Sequence, residues 1–254
     1  MLNVLTAIED ASRGGRVMLA VLVDPGKVSL NKLRHLLTVA ASSPPDLFLV
    51  GGSTSDAIDV KSCVAEIRNL NPNIPVVLFP GNENQVDDQA DALLLLSLIS
   101  GRNPDLLIGK HVSSARKLKR TGLEIIPTGY ILVESGKVTS VAYMSQTQPI
   151  PRDKSDIAAQ TALAAELLGM KLVYLEAGSG AKWPVPPEMI HAVKLELGIP
   201  LIVGGGIDSL EKLSLAIDAG ANLVVVGNAL EADPELLHRF YGHLESLKAR
   251  FQTN

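Results

Sequence analysis

The amino-acid sequence predicts a single (β/α)8 barrel of the TIM type, an α/β fold in which strands and helices alternate. Three observations support this fold class. Eight short apolar runs recur along 254 residues, about one per 32 residues, which is a typical spacing for this barrel. Amphipathic segments separate most of these runs. Most of the runs are continuously apolar, as expected for parallel strands that are buried on both faces.

The predicted elements follow one another in a regular order. The strands are residues 17–23, 47–50, 76–79, 92–96, 124–126, 172–175, 200–203 and 223–226. The helices are residues 30–41, 56–70, 105–118, 155–168, 187–197, 210–219 and 234–251. Before the first strand, Leu2, Leu5 and Ile8 fall on one helical face. Because helices connect successive strands, we expect parallel pairing with right-handed crossovers, in one domain that spans residues 1–254.

Two intervals depart from this order. Between the third and fourth strands lies only a short polar segment, residues 82–91, so the third helix is expected to be degenerate or missing. After the fifth strand, residues 130–134 and 137–143 flank Ser135-Gly136, a pattern that predicts a β-hairpin. The fifth unit is therefore expected to carry extra structure above the barrel.

Composition excludes several classes of function. Lys and Arg number 23 and Asp and Glu 27, for a net charge of −4, and aromatic residues make up 4%, so we expect no nucleic-acid partner. The single cysteine, Cys63, cannot form an internal disulfide. Glu9 and Asp10 lie where a signal peptide needs apolar residues. No apolar run approaches the roughly 20 residues of a membrane span, and we expect a cytoplasmic protein without a transmembrane segment.

Glycine-rich turns follow the last three predicted strands, where a barrel of this type places its functional residues. Their glycines include Gly178, Gly180, Gly205, Gly206 and Gly227. Glycine lets the backbone approach a ligand and direct N–H groups at one anion. Ser179 could supply a further donor, and a helix that begins near Asn228 would add its positive end. One such turn can be structural only, but three together predict a phosphate site.

Two polar residues at the ends of the first two strands are candidates for a metal site. Asp24 ends the first strand and Ser53 follows the second. A carboxylate and a hydroxyl suit Mg²⁺, which favours oxygen ligands shared with substrate phosphates. The structural alternative is that Asp24 caps the following helix and Ser53 closes a turn. Lys27 either reaches an anion or is solvated.

Glu176 is the candidate general base. It ends a very apolar strand, where a carboxylate is costly to bury unless it is paired or functional. It could take a proton from a substrate hydroxyl. Tyr174 lies two residues earlier, on the same side of the strand, and its hydroxyl could orient a ligand. The alternative role for Glu176 is a structural hydrogen bond to a neighbouring loop.

Several motifs together identify a family resemblance that covers essentially the whole chain. They are Tyr174-Leu175-Glu176-Ala177-Gly178-Ser179-Gly180 and residues 203–207, 226–229, 22–25, 50–53 and 97–104. These motifs resemble the geranylgeranylglyceryl phosphate synthases, the PcrB-like prenyltransferases, and in particular their second group. The glutamate motif and residues 97–104 are specific to the family, whereas the triple glycine alone is not.

The resemblance implies a reaction and a set of residue roles. The sn-3 hydroxyl of sn-glycerol 1-phosphate attacks the first carbon of geranylgeranyl diphosphate, and diphosphate leaves. Glu176 is the implied base, with Tyr174 beside it, and Asp24 and Ser53 bind Mg²⁺. The residues implied to hold glycerol 1-phosphate are Tyr174, Leu175, Glu176, Ala177, Gly178, Ser179, Gly180, Gly205, Gly206, Gly227 and Asn228. The resemblance also implies a homo-oligomer, either a dimer or a hexamer.

Two further features complete the prediction. A prenyl tail needs an apolar groove, which we expect near Leu94, Leu96 and Leu98 at the top of the barrel. Trp183 departs from the family pattern, which has a smaller polar residue there, and could alter a loop. The alternatives that remain open are a sugar-phosphate isomerase or synthase, a flavin-binding barrel, and a phosphate sensor without catalytic activity.

Overall fold

Eight parallel strands close into a barrel in the order β1-β2-β3-β4-β5-β6-β7-β8. A computed structural model describes residues 3–53 and 57–251. Closure occurs where β8 pairs with β1, with Leu223 opposite Met18 and Val226 opposite Val21. The strands are β1 Met18–Val23, β2 Leu47–Val50, β3 Val76–Leu78, β4 Ala92–Leu98, β5 Glu124–Leu132, β6 Leu172–Glu176, β7 Leu201–Gly204 and β8 Leu223–Val226. The predicted fold class is confirmed.

Helices surround the barrel and alternate with most of its strands. They are α1 Val4–Arg13, α2 Leu30–Ser42, α3 Ala57–Leu70, α4 Lys110–Lys119, α5 Ser140–Ser145, α6 Ser155–Leu167, α7 Pro187–Glu196, α8 Leu210–Asp218, α9 Asn228–Ala232 and α10 Leu236–Phe251. A π-helical turn, Asp105–Gly109, leads into α4. The predicted contribution of Leu2 and the predicted helix start at residue 56 lie outside the described residues. Among the helices described, none is long and apolar enough to cross a bilayer.

The amino-terminal helix α1 closes the bottom of the barrel. Its Val4 and Ile8 are buried against the same cluster as the inward-facing side chains of the strands. The carboxylate of Glu124, at the start of β5, accepts the backbone N–H groups of Val4 at 2.6 Å and Leu5 at 3.1 Å. These otherwise unpaired donors of the first helical turn are therefore satisfied from the barrel itself. The opposite end of the barrel is left open for a site.

The third crossover contains no helix, as predicted. Residues 79–91 form turns and bends between β3 and β4. Gln85 holds this segment against the loop after β2: its amide nitrogen donates to the Gly52 carbonyl at 2.9 Å, and its Oε1 accepts the Gly81 N–H at 2.9 Å. Because a polar loop replaces a helix, the side of the barrel next to β4 stays open.

The predicted hairpin after β5 is wrong. Strand β5 extends to Leu132, but residues 137–143 form no strand. Instead the hydroxyl of Thr139 accepts the Ala142 N–H and caps α5, which ends at Gln146 in the left-handed conformation with φ 52°. This side-chain cap satisfies helical donors at the position where a second strand would start, so a helix forms there instead. The expected extra structure is present as a short helix.

Candidate active site

A cleft of about 150 Å³ lies at the carboxyl ends of the barrel strands. Most of the predicted site residues line it: Asp24, Ser53, Tyr174, Glu176, Gly178, Ser179, Gly180, Gly205, Gly206, Gly227 and Asn228. Two predicted residues do not. Leu175 points away from the barrel interior into the packing between strands and helices, and Ala177 is 2% exposed in the same layer. Neither side chain is placed to contact a ligand in the cleft.

Glycine is required on the cleft side of the loop after β7. Gly205 has φ +86°, and a Cβ atom there would lie 2.6 Å from Glu176 Oε1 and 2.7 Å from the Gly178 nitrogen. Gly206 has φ +72°. Both positions combine a left-handed conformation with close packing, which only glycine tolerates without strain. The predicted close approach of backbone to the cleft is therefore built into the fold.

A chain of polar contacts ties the glycine loops to the end of β1. The Lys27 ammonium lies 2.9 Å from Ser179 Oγ, and the Ser179 hydroxyl donates to Asn228 Oδ1 at 2.8 Å. Asn228 is the first residue of α9, with Gly227 at the cap position, as the sequence predicted. One positive charge and several polar donors thus meet at one edge of the cleft, which suits an anion.

Asp24 lies at the end of this network that follows β1. Its side chain pairs with Lys27, with 2.9 Å between Oδ2 and Nζ, and its Oδ1 accepts the Gly26 N–H at 3.2 Å. A Cβ atom on Gly52 would lie 2.4 Å from Asp24 Oδ1, so the loop after β2 must carry glycine there to pack on the carboxylate. Ser53 follows in that loop and lines the same cleft.

Asp24 and Ser53 suit a metal ion whose remaining ligands come from water and the substrate. In the part of the chain that the structure describes, no group of three or more His, Cys, Asp or Glu residues could hold a metal. Asp24 and Ser53 would offer one carboxylate, whose oxygens contact Lys27 and the Gly26 N–H in this structure, and one hydroxyl. Mg²⁺ is commonly held by one or two carboxylates, several waters and substrate phosphates. The donor set matches that mode of binding rather than an all-protein cage.

Sequence reasoning missed Glu231 on α9. Its Oε1 accepts the Asp24 backbone N–H at 3.4 Å, and it lines the cleft. Burial raises the pKa of Glu231 above its ordinary value, and the charge of Asp24 adds to that effect. A lone glutamate 207 positions from Asp24 gave no signal in the sequence, because only the pairing of β8 with β1 brings the two together.

Glu176 is a buried carboxylate at the centre of the cleft floor. It is 5% exposed, and its Oε1 accepts the Gly178 N–H at 2.5 Å. Burial raises the pKa of Glu176 to about 6, while the hydrogen bond from the Gly178 N–H and the nearby Tyr174 hydroxyl act in the opposite direction. At neutral pH the group is therefore mostly ionised yet close enough to its pKa to exchange a proton.

The side chain of Tyr174 lies beside Glu176, and its hydroxyl group has no hydrogen-bond partner among the described residues. The side chain is fully buried. Burial raises the pKa of Tyr174 well above its ordinary value, and the neighbouring charge of Glu176 adds to this. The phenol is therefore neutral at physiological pH and can serve as a donor or acceptor to a ligand.

A second, apolar groove of about 320 Å³ joins the cleft. Leu94, Leu96 and Leu98 line it, as predicted, together with Leu106 and Leu118. It occupies the side of the barrel that the missing third helix leaves uncovered.

Three aromatic rings stand where the groove and the cleft meet. Phe79 and Tyr130 line both cavities. The ring centroids of Phe79 and Tyr130 are 5.8 Å apart, and each lies 5.4 Å from that of Tyr174. A ligand that extends from the groove into the cleft must pass these rings.

Trp183 lies outside the cleft. It is 43% exposed and is flanked by two cations, with Lys182 Nζ 4.6 Å and the Arg152 guanidinium carbon 5.5 Å from the ring centroid. A Cβ atom on Gly136 would lie 2.5 Å from the indole ring. The indole ring therefore packs on the segment after β5, and Trp183 is not among the residues that line the cleft, although its backbone lies close to Gly206.

Comparison with known proteins agrees with this geometry. The sequence pattern of the PcrB family matches residues 16–242. The chain is 52% identical over 233 residues to a geranylgeranylglyceryl phosphate synthase of Spirosoma linguale, covering 92% of this chain and 93% of that protein. It is 44% identical over 211 residues to the enzyme of the same name from Thermococcus kodakarensis, covering 83% of each.

Solved structures give the same result. The chain is similar in structure to (S)-3-O-geranylgeranylglyceryl phosphate synthase from Thermoplasma acidophilum in complex with its substrate sn-glycerol-1-phosphate. The TM-score is 0.89 at 31% identity, and the match covers 98% of this chain and 100% of that one. An N-acetylmannosamine-6-phosphate 2-epimerase from Clostridium perfringens has a TM-score of 0.57 at 15% identity, covering 94% of this chain and 95% of that one, and shares the fold alone.

Proposed function

The chain belongs to the PcrB family, and from this premise we propose that it is a geranylgeranylglyceryl phosphate synthase, a prenyltransferase of ether-lipid biosynthesis. It joins geranylgeranyl diphosphate to the sn-3 hydroxyl of sn-glycerol 1-phosphate. The observation that supports this most strongly is the junction of two cavities: a polar cleft with a buried carboxylate meets an apolar groove at one end of the barrel.

The phosphate of the acceptor binds at the loops after β7 and β8 in this proposal. Gly205, Gly206, Gly227 and Asn228 line that edge of the cleft, and in this proposal their backbone N–H groups donate to the phosphate. Lys27 and Ser179 add a positive charge and a hydroxyl. A phosphate fixed there leaves the far hydroxyl of a three-carbon chain free to reach Glu176 on the neighbouring strand end.

Glu176 accepts the proton of the attacking hydroxyl. The sn-3 oxygen forms a bond to the first prenyl carbon, the bond between that carbon and the diphosphate oxygen breaks, and diphosphate leaves with the bonding electrons. Tyr174 orients the hydroxyl through its phenol. Holding acceptor, base and reacting carbon together makes the attack effectively intramolecular.

Asp24 and Ser53 hold Mg²⁺ in this proposal, and the ion supplies positive charge to the departing diphosphate when it is bound. Lys27, paired with Asp24 at 2.9 Å, adds charge at the same edge of the cleft. The Glu231 carboxylate stabilises the position of Asp24 by accepting a hydrogen bond from its backbone N–H.

The prenyl chain lies in the groove beside β4. Leucine side chains supply its walls, and the aromatic rings of Phe79 and Tyr130 mark the passage to the cleft. A sugar-phosphate isomerase or synthase, the alternative from sequence, would use the phosphate loops but has no need of this groove. A flavin would colour the purified protein, and a sensor would bind ligand without turnover.

Product analysis tests the proposed function. The protein is incubated with Mg²⁺, sn-glycerol 1-phosphate and a series of prenyl diphosphates, and the lipid extract is examined by mass spectrometry. We expect a prenylglyceryl phosphate with the C20 donor, and far less with sn-glycerol 3-phosphate as acceptor. No prenylated product with any donor, or isomerisation of a sugar phosphate instead, would contradict the proposal.

We further propose a cytoplasmic location and a homo-oligomer of two or six copies. The single cysteine, Cys63, is buried and free, so no internal disulfide points to an oxidising compartment. Leu167 at the end of α6, Leu168 directly after it and Leu195 on α7 are 79%, 76% and 73% exposed. Exposed apolar side chains of this kind support a covered interface. Light scattering of the wild type and of Leu167→Lys tests the assembly, which we expect the lysine to weaken.

A further inference from the structure

Helix α4 carries a concentration of positive charge that the rest of the chain does not share. Its segment 110–120 contains five basic residues, Lys110, Arg116, Lys117, Lys119 and Arg120, and no acidic residue. The whole chain has a net charge of −4. The segment is therefore a basic patch on a protein of opposite net sign, which the proposed catalytic steps do not use.

Part of this charge is committed to the neighbouring loop, and part is not. Glu83 faces the helix: its carboxylate lies 3.7 Å from Lys110 Nζ, and its carbonyl accepts a hydrogen bond from Lys117 at 3.2 Å. Arg116, Lys119 and Arg120 are exposed and make no ion pair with any residue in the ranges 3–53 and 57–251. These three cations are available to a partner.

Apolar side chains accompany the free cations on the outer face of α4. Val112 on α4 is 70% exposed, and Ile108, four residues earlier in the π-helical turn that leads into the helix, is 58% exposed. Continuing that spacing reaches Arg116, with Ala115 and Lys119 beside it, and all three are exposed. Cations on this face can contact the headgroups of an anionic lipid surface, and exposed aliphatic side chains beside them can enter the interface.

The inner face of the same helix forms a wall of the groove. His111, Ser114 and Leu118 line that groove, and Leu118 is 7% exposed. The helix thus forms one wall of the cavity proposed for the prenyl chain, so a surface bound to its outer side would lie one helix diameter from that cavity.

We propose that the outer face of α4, defined here as Ile108, Val112, Arg116, Lys119 and Arg120, docks on the surface of an anionic lipid bilayer. The cations contact lipid headgroups, and the aliphatic side chains enter the interface between headgroups and acyl chains. The reason for such docking, direct delivery of an amphipathic prenyl diphosphate to the groove, rests on the proposed function. The binding itself is independent of turnover and can be measured without substrates.

Vesicle flotation with the full chain tests the proposal. We expect the protein to bind vesicles of phosphatidylcholine mixed with phosphatidylglycerol and to leave them at high salt, with little binding to phosphatidylcholine alone. Each basic residue near an anionic surface strengthens partitioning about fivefold, so Arg116→Ala with Lys119→Ala is expected to weaken it about thirtyfold. Ile108→Ser with Val112→Ser should weaken it as well, which separates insertion from charge attraction alone.

Matched controls make the test decisive. Lys61→Ala with Lys171→Ala removes two exposed cations from α3 and from the start of β6 and should leave vesicle binding unchanged. Thermal unfolding of each variant establishes that α4 is folded. Absence of binding to anionic vesicles, or equal loss in the control pair, would overturn the docking face. If the wild-type protein binds anionic vesicles but shows no prenyl transfer in solution, that result would count against the proposed function and not against the docking face.

Discussion

Replacing Glu176 by glutamine removes the proposed base while it keeps the size of the side chain and an oxygen that can accept the Gly178 N–H. Loss of a general base typically lowers the rate by about 10²–10⁴, and we expect the maximal rate of prenyl transfer to fall in that range. The affinity for glycerol 1-phosphate should fall much less, because the proposed phosphate contacts come from other loops. Steady-state kinetics on wild type and variant separate the two quantities.

The pKa of Glu176 gives this prediction a second readout. Burial raises the pKa to about 6, and only the ionised carboxylate can take a proton. The wild-type rate at low acceptor concentration should therefore rise with pH through about 6 and level off above it. Glu176→Gln should have no such rise, since glutamine does not titrate.

A second carboxylate in the cleft supplies the control. Glu231 also has a raised pKa because of burial, but it faces the backbone of Asp24 rather than the cleft floor. Glu231→Gln should keep the rise near pH 6. A near-normal rate for Glu176→Gln, or a rise that disappears with Glu231 instead, would refute the assignment of the base.

Four further outcomes are expected. Glu176→Gln should raise the free energy of unfolding at pH 8 by about 2 kcal/mol relative to wild type. The pKa of Glu176 rises from 4.5 to about 6 on folding, so the folded state disfavours the ionised carboxylate and the wild type loses stability as pH rises through this interval. Chemical denaturation at pH 4 and pH 8 checks this, and a stability difference between variant and wild type that does not grow with pH contradicts it. Gly205→Ala should destabilise the fold by about 1–3 kcal/mol and weaken acceptor binding in calorimetry, since its φ is +86°; unchanged affinity would move the phosphate elsewhere. Asp24→Asn should lose most Mg²⁺-dependent turnover, and full activity of the variant, or of wild type in EDTA, would reject the metal site. Leu96→Trp should favour shorter prenyl donors in a competition assay by filling the groove, whereas an unchanged donor preference would place the chain outside it.

Much of the fold could be predicted from local pattern. The continuous apolar runs predicted β2 and β8 to the residue, and the polar interval before β4 predicted the absent third helix correctly. The fifth unit could not be predicted as well, because Ser135-Gly136 favours a turn but does not determine whether a strand or a helix comes next. The Thr139 cap starts a helix there, so local capping decides the structure of the fifth unit. The last helix begins at Leu236, two residues after the predicted start.

The lining of the candidate site was predictable where polar residues or glycines follow the strand ends. Glu176, Asp24 and the paired glycines of the loop after β7 could be found because each lies at the end of an apolar run or directly after it. Leu175 and Ala177 were included because their motif is contiguous, yet alternation along the strand end turns their side chains away from the cleft. Glu231 and the aromatic residue Phe79 were missed, since their places depend on barrel closure and on the loop that replaces a helix.

Isotope labelling tests the central claim most directly. The protein is incubated with geranylgeranyl diphosphate and glycerol 1-phosphate that carries ¹⁸O in the sn-3 hydroxyl, and both products are analysed by mass spectrometry. Attack by that hydroxyl on the first prenyl carbon predicts that the label is retained in the ether lipid and is absent from diphosphate. An unlabelled lipid, label in diphosphate, or no ether product would contradict the account.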